Sequence, residues 1–380
     1  MSRVLIVGGG VIGMLLAREM SKGGWQVSLF EKGICGREAS WAGGGLVTPL
    51  YPWRYEPAIT ALASWSQDFY PQLAEELTRD SGIDPELSAH GMLMLSVADK
   101  EEALRWGQDN QRWLEPVDQA FIYQREPKLA QGFADGLYMP KVASIRNPRL
   151  GKSLRQALMD SGRVELYEQA EVNEIIVQEG RALGVRTPQG SFFGDAVVIT
   201  SGAWSGELLQ QIGLKLPVEP VKGQMILFKA TPGLLHGIVL KDGRYLIPRR
   251  DGRILCGSTL EHSGFDKTPS EAAREELYQA ALDMLPALAE CEVEAHWAGL
   301  RPGSPKGIPY IGPVPGVVGL YVNAGQYRNG LVLAPGSVRV LADELLERAP
   351  VIDPAPYRLE GRVEPACTDS AASPSDMAGT

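Results

Sequence analysis

RVLIVGGGVIGMLLAREM, residues 3–20, passes from an unbroken apolar run through three glycines into an amphipathic segment. Gly8, Gly10 and Gly13 keep the spacing G-x-G-x-x-G. In a strand–turn–helix, the first glycine permits the tight turn, the second lets the main chain approach a pyrophosphate, and the third lets the helix pack close to the strand. The context is complete. Residues 3–7 read as a strand and 11–22 as a helix, whose first-turn N–H groups are free to receive phosphate oxygens. A second strand at 25–30 ends on Glu31. That acid stands about 20 residues past the motif, where a carboxylate takes both hydroxyls of an adenosine ribose. The pattern predicts α/β architecture beginning with a Rossmann-like unit.

The chain of 380 residues is long enough for two sizeable cores. A formal net charge of -9 with no long basic run argues against nucleic acid and anionic membrane surfaces as partners. Cys35, Cys256, Cys291 and Cys367 form no C-x-x-C pair, and His90, His236, His262 and His296 are scattered, so a reducing compartment and no metal site are expected. No apolar run reaches the length of about 18 residues that a membrane span needs. The apolar N-terminal stretch carries the glycine fingerprint, so it reads as a working strand rather than a cleaved leader, and a cytoplasmic protein is expected.

Further along, 56–79 reads as a helix bent near Pro71, 90–97 as a strand and 99–114 as a helix. Asn147-Pro148 predicts an N-cap with proline in the first turn of a helix reaching residue 159. Strands follow at 164–167, 170–178, 182–187 and 196–200, then a turn at 201–204 and a helix to 212. Segments 217–230, 243–248 and 253–259 read as extended. Thr268-Pro269-Ser270-Glu271 predicts a capping box opening a helix to about residue 285, followed by strands at 293–298 and 319–323 and a last helix after Gly330. The nucleotide-binding half is therefore interrupted twice. It is expected at 1–55, 144–213 and 297–349, interleaved with an α+β substrate domain of antiparallel sheet and helices at 56–143 and 214–296. The Pro-, Ala-, Ser- and Asp-rich end predicts disorder over 363–380. One fingerprint implies one dinucleotide, and FAD suits a chain without a second nucleotide site.

The segments VLIVGGGVIG, LFEKG, REASWAGGG, AEVNEI, VVITSGAWS, PVKGQM, YLIPRRDGRILCGST, HWAGLRPGSPKGIPYIG and NAGQYRNGLVLAPG together carry a resemblance over 1–359. The chain resembles the flavin-dependent glycine oxidase and D-amino-acid oxidase family, in its thiamine-pathway branch. The resemblance implies FAD held by the glycine motif with Val11, Ile12, Glu31 and Lys32 at the adenosine-pyrophosphate end. It implies Arg37, Ala39, Ser40, Ser201 and Gly202 as further cofactor positions, and Val172 as the residue meeting the adenine through its backbone. Gly43, Gly44 and Gly45 match a loop passing close to the flavin, and Gln326, Tyr327, Arg328, Asn329, Gly330, Leu331 and Val332 match a segment wrapping the ring. The same resemblance places substrate residues at Tyr245, Leu260, Arg301 and Arg328, with Tyr245, Arg301 and Arg328 in the catalytic set.

The residue chemistry agrees with part of this. A guanidinium grips a carboxylate through two parallel hydrogen bonds, and the small, apolar neighbours of Arg301 in WAGLRPG speak against a solvated face. Tyr245 alternates with Leu246 on a strand, which suits a packed ring equally well, and 325–330 suits a plain polar turn. RPGSPKG holds no cysteine after Arg301, so the flavin is expected to be non-covalent. The expected reaction is oxidation of glycine, sarcosine or small D-amino acids to the imine. Glyoxylate, ammonia and hydrogen peroxide follow, with molecular oxygen as acceptor, in the service of thiazole synthesis. The residues leave open a proline- or D-amino-acid dehydrogenase of the same fold feeding a quinone or carrier. Relatives of this kind are often homo-oligomers, which is the remaining partner expectation.

Overall fold

The first strand is buried on both faces, which explains why its sequence is continuously apolar rather than alternating. In the structure, a computed structural model that describes residues 2–366, Arg3–Val7 lies inside a six-stranded sheet. The strand order is Tyr310–Pro313, Leu320–Ala324, Ala196–Ile199, Arg3–Val7, Gln26–Phe30, Val164–Tyr167. All pairings are parallel except that of Tyr310–Pro313 with its neighbour. Side chains of a strand alternate between faces. Val4 and Ile6 accordingly join one core with helices Val11–Lys22, Pro57–Ser81, Asn147–Asp160 and Gly330–Leu345. Leu5 and Val7 join the opposite core, covered by the three-stranded sheet Glu174–Gln178, Arg181–Thr187 and Gly190–Phe193. Arg18, buried inside the first helix, ties it to Pro57–Ser81 through Glu76 (2.7 Å) and Asp80 (2.8 Å).

The second sheet has eight strands in the order Glu292–Gly303, Glu219–Lys229, Ile254–Gly257, Arg244–Pro248, Ile238–Lys241, Met92–Leu95, Asp135–Met139, Glu115–Asp118. It is antiparallel apart from Ile238–Lys241 against Met92–Leu95. Ile226, Leu246 and Cys256 face a core shared with helix Glu271–Met284. The intervening residues Met225, Tyr245 and Leu255 face the other way. The two-residue period thus delivers Tyr245 to the face away from that helix.

Several local expectations change. Asn147 does not cap: the cap position is Arg146, and the Asn147 amide turns inward to donate to Ser40 O at 2.8 Å. Ser270, not Thr268, caps its helix, its hydroxyl accepting from Ala273 N at 3.3 Å. Pro57–Ser81 is a helix, as expected, with Pro71 inside it. The helix expected over 99–114 runs over Lys100–Asp109: Asp99 stands at the cap position with its carboxylate on Trp53 Nε1 and Arg54, and past the other end Gln111 turns to φ 53°. Strands Ile238–Lys241, Asp135–Met139 and Glu115–Asp118 have no clear sequence signal. The tail expected to be disordered from 363 instead begins with order: Glu364–Pro365 pairs with Leu214–Lys215, and Val363 packs on the second core of the nucleotide sheet. The remainder, 367–380 with Cys367, lies outside the described residues. Among the described residues no helix is long and apolar enough to cross a membrane, and no cluster of His, Cys, Asp and Glu is arranged for a metal ion.

Within the fingerprint the third glycine is the tightest point. A Cβ on Gly13 would stand 1.9 Å from Gly8 O, a backbone atom that cannot yield, and 2.7 Å from the Thr200 Oγ1 side chain. Gly13→Ala is expected to destabilise the protein by about 3 kcal/mol, as overpacking against backbone does. Urea unfolding of the variant measures this, and wild-type stability would show that the crossover has slack.

Candidate active site

A cavity of about 390 Å³ runs between the two sheets. One end is made by the fingerprint. Gly8 takes φ 111° to turn the chain, and Thr200 Oγ1 donates to Gly8 O (2.9 Å) from the neighbouring strand end. Gly10 offers the following helix no side-chain cap; Val11 N–H donates to Ser40 Oγ at 2.8 Å. The rest of that helix end is free to receive an anion from the cavity. Glu31 is held in place by two backbone amides, Gly9 N at 2.8 Å on one oxygen and Gly33 N at 2.8 Å on the other. Each carboxylate oxygen keeps a lone pair for a ribose hydroxyl. Lys32 stacks its ammonium 3.3 Å over the Trp204 ring at the same end.

At the middle, 43–45 passes along the wall. Gly45 takes φ 83°, and a Cβ on Gly44 would meet Tyr245 Oη at 2.9 Å. The loop therefore lies flat between Tyr245 and the cavity. Asn147 lines the wall beside it, and its buried Oδ1 has no hydrogen-bond partner. An orphaned buried acceptor is what a bound cofactor with hydroxyl and imide donors would satisfy. With the uncapped helix end and the poised Glu31, it makes the residues fit FAD.

The far end holds Arg301 on strand Glu292–Gly303. The strand runs past the predicted end at residue 298, and that extension brings Arg301 into register with Val221. Its Nη1 donates to Lys222 O (3.3 Å) and Thr259 O (3.1 Å), and its Nη2 to Ser258 Oγ (2.7 Å). All three acceptors are neutral, and among the described residues no carboxylate pairs with it. Three of the five N–H groups of a guanidinium are thus used, leaving the Nε–H and one Nη2–H for a ligand. Burial, reinforced by the charges of Arg328 and Arg244, pushes the Arg301 pKa below its ordinary value. Burial pushes the Tyr245 hydroxyl up, so it stays protonated and can donate, with Arg301 opposing the shift. An anion in this end would relieve the guanidinium. Room for it comes from Gly223: a Cβ there would lie 2.1–2.3 Å from Nη1, Nη2 and Cζ of Arg301.

The loop after Ile254–Gly257 closes over the cage. Behind Ser258 and Thr259, Glu261 accepts from Gln224 Nε2 (2.8 Å), and Lys222 Nζ sits 3.6 Å from Glu261 and 3.7 Å from Asp266. Phe265 then stacks on Trp204 and Lys267 bridges to Glu38 at 2.9 Å, joining the two sides of the cavity.

Of the expected cofactor positions, Gly8, Gly10, Val11, Ile12, Glu31, Lys32, Ala39, Ser40, Gly43, Gly44, Gly45, Val172, Ser201, Gly202 and 326–332 all line the cavity. Tyr245 and Arg301 line it too, and Arg328 does so with an exposed side chain. Three expected positions are not brought to it. Gly13 packs beneath, against Gly8; Arg37 lies outside; Leu260 is 43% exposed on the outer side of the closing loop. Sequence reasoning missed Asn147, spent on a capping role, and Gly223, whose only trace is its place in PVKGQM. It also missed Trp204, although the turn carrying it is legible.

Residues 3–344 match the family described as FAD dependent oxidoreductase (DAO). A glycine oxidase of Pseudomonas aeruginosa is 56% identical over 361 residues, 95% of this chain and 99% of that protein. The crystal structure of glycine oxidase from Geobacillus kaustophilus superposes with a TM-score of 0.89 at 33% identity, covering 94% of this chain and 99% of that one. A bifunctional protein ThiO/ThiG of Trichormus variabilis is 30% identical over 354 residues, 91% of this chain and 53% of that protein. The chain belongs to the FAD-dependent oxidoreductase family. Within it the chain groups with the glycine oxidases, and FAD is its cofactor.

Gly223→Ala forces the Arg301 guanidinium to move. The dissociation constant for acetate, read from the visible absorption of the FAD-loaded variant, is expected to rise at least about tenfold, the loss of one charged hydrogen bond. An unchanged constant would show that Arg301 does not need the flat strand beneath it.

Proposed function

We propose that the chain oxidises glycine, and with it sarcosine and small D-amino acids, to the imine. The imine of glycine then takes up water to give glyoxylate and ammonia, or enters thiazole synthesis. The observation that carries the reading is Arg301, a half-buried guanidinium at the end of a cofactor cavity, held by neutral oxygens and lacking an acid of its own. A substrate carboxylate completes it through the free Nε–H and Nη2–H, and the Tyr245 hydroxyl adds a donor. Arg328, at the rim, adds positive potential that draws the acid in. FAD, when bound, accepts the hydride equivalent from the substrate Cα. With the carboxylate fixed, Gly44 and Met225 limit the space left beside Tyr245, which favours a small side chain.

Among the described residues the cavity lining holds no His or Asp; of its acids Glu31, Glu38, Glu171 and Glu207, Glu31 is engaged by Gly9 N and Gly33 N and Glu38 by Lys267. A lining without His or Asp suits hydride loss from an uncharged amine, with positioning and a preorganised field supplying the acceleration. The glycine oxidase names of the relatives support the substrate, and the ThiO/ThiG relative supports the link to thiamine. Molecular oxygen as acceptor, giving hydrogen peroxide, completes the proposal.

FAD-loaded protein mixed with glycine in air is expected to release peroxide, and without oxygen glycine is expected to bleach the flavin. Bleaching without peroxide in air would make the acceptor a quinone or carrier. Bleaching by larger D-amino acids or proline but not glycine would overturn the substrate. Arg301→Ala should lower kcat/KM for glycine about 100-fold or more, chiefly through KM, because the carboxylate loses a buried charged partner. A normal KM in that variant contradicts the role of Arg301.

A further inference from the structure

Arg249 follows directly on Arg244–Pro248, the strand that carries Tyr245. Its Nη2 donates to Gly44 O at 2.7 Å and its Nη1 to Ile145 O at 3.2 Å. Neither acceptor is charged. The acids nearest to it are engaged elsewhere: Glu86 with Arg146 (3.2 Å) and Arg149 (3.1 Å), and Asp251 with Arg146 (2.8 Å) and Arg253 (3.0 Å). Burial, with the charge of Arg146, pushes the Arg249 pKa down to about 10, while Glu86, Tyr245 and Asp251 oppose the shift. A half-buried cation thus holds two backbone carbonyls, one of them in the flavin-facing loop.

The consequence follows from peptide planarity. In a trans peptide the C=O of one residue and the N–H of the next point in opposite directions. With Gly44 C=O fastened toward Arg249, the Gly45 N–H points away from Arg249. Arg249 does not line the cavity, whereas Gly44 and Gly45 do. Glycine at both positions leaves this peptide free to flip, and Gly45 already sits at φ 83°. A flipped peptide would present an oxygen to the cofactor in place of a donor.

We propose that Arg249 is a cofactor-positioning residue: it sets the orientation of the Gly44–Gly45 peptide so that an N–H, not a carbonyl, faces the flavin. It acts through that peptide and touches neither cofactor nor substrate. The same hold keeps Gly44 against Tyr245, so cofactor wall and substrate tyrosine are fixed by one guanidinium. The inference rests on the FAD assignment and not on which amine is oxidised.

The test uses Arg249→Met and Arg249→Gln in the full chain, each stripped of FAD and titrated with it beside the wild type. Wild-type binding controls for the cofactor itself. Both variants are expected to bind FAD about tenfold more weakly or worse and to show a shifted visible flavin spectrum. Thermal unfolding should fall more for the FAD-loaded variants than for their apo forms. Arg249→Gln keeps one donor and serves alone where Arg249→Met does not fold. Wild-type FAD affinity and spectrum in either variant, or equal losses of stability with and without FAD, would overturn the proposal.

Discussion

A cation that pairs with no carboxylate among the described residues governs this site. Arg301 is withdrawn from bulk water, which disfavours its charge, and is met by two carbonyls and a hydroxyl rather than by an acid. Leaving a buried charge without a counter-charge is destabilising unless a ligand completes it. The protein carries that burden at one end of a cavity whose other end is shaped for a dinucleotide. A small acid seated on the guanidinium is therefore forced to lie beside whatever occupies the middle of the cavity.

The two sheets hold those ends in register. Strands Glu219–Lys229 and Glu292–Gly303 pair along nearly their whole length, so Gly223 falls opposite Gly299 and Met225 opposite Trp297. On the nucleotide side, Trp297 Nε1 donates to Ala42 O at 3.0 Å, and a Cβ on Gly299 would meet Ala42 at 2.5 Å. The strand that carries Arg301 is thus seated directly on the segment leading into the cavity-lining glycines 43–45. Tyr245 on strand Arg244–Pro248, two places along the sheet from Glu219–Lys229, and Arg249 just past that strand's end close the same loop. A slip of one residue in this pairing would turn Arg301 to the opposite face.

The nucleotide half was legible in the sequence because its chemistry is local. Gly8, Gly10, Gly13 and Glu31 stand within one strand–turn–helix–strand unit, where spacing alone fixes geometry. Much of the substrate sheet was legible as extended segments, but its order was not. The parallel contact of Ile238–Lys241 with Met92–Leu95 joins residues far apart in sequence, and no short-range pattern encodes it. The cage around Arg301 was half legible. A guanidinium among small apolar residues can be read, but Gly223 is needed only because a side chain from another strand lies over it. Asn147 misled for the same reason: a residue suited to capping was drawn away by Ser40 O across the chain. At 363–366, composition suggested disorder, and the edge of Leu214–Lys215 with a partly buried seat for Val363 overrode it.

The most direct test is a crystal structure of the FAD-loaded protein with acetate. The two acetate oxygens should lie on Arg301 Nε and Nη2, with Lys222 O, Thr259 O and Ser258 Oγ still accepting from the same guanidinium. Acetate bound at Arg328 alone, with nothing on Arg301, would contradict the carboxylate-anchoring role of the unpaired cation.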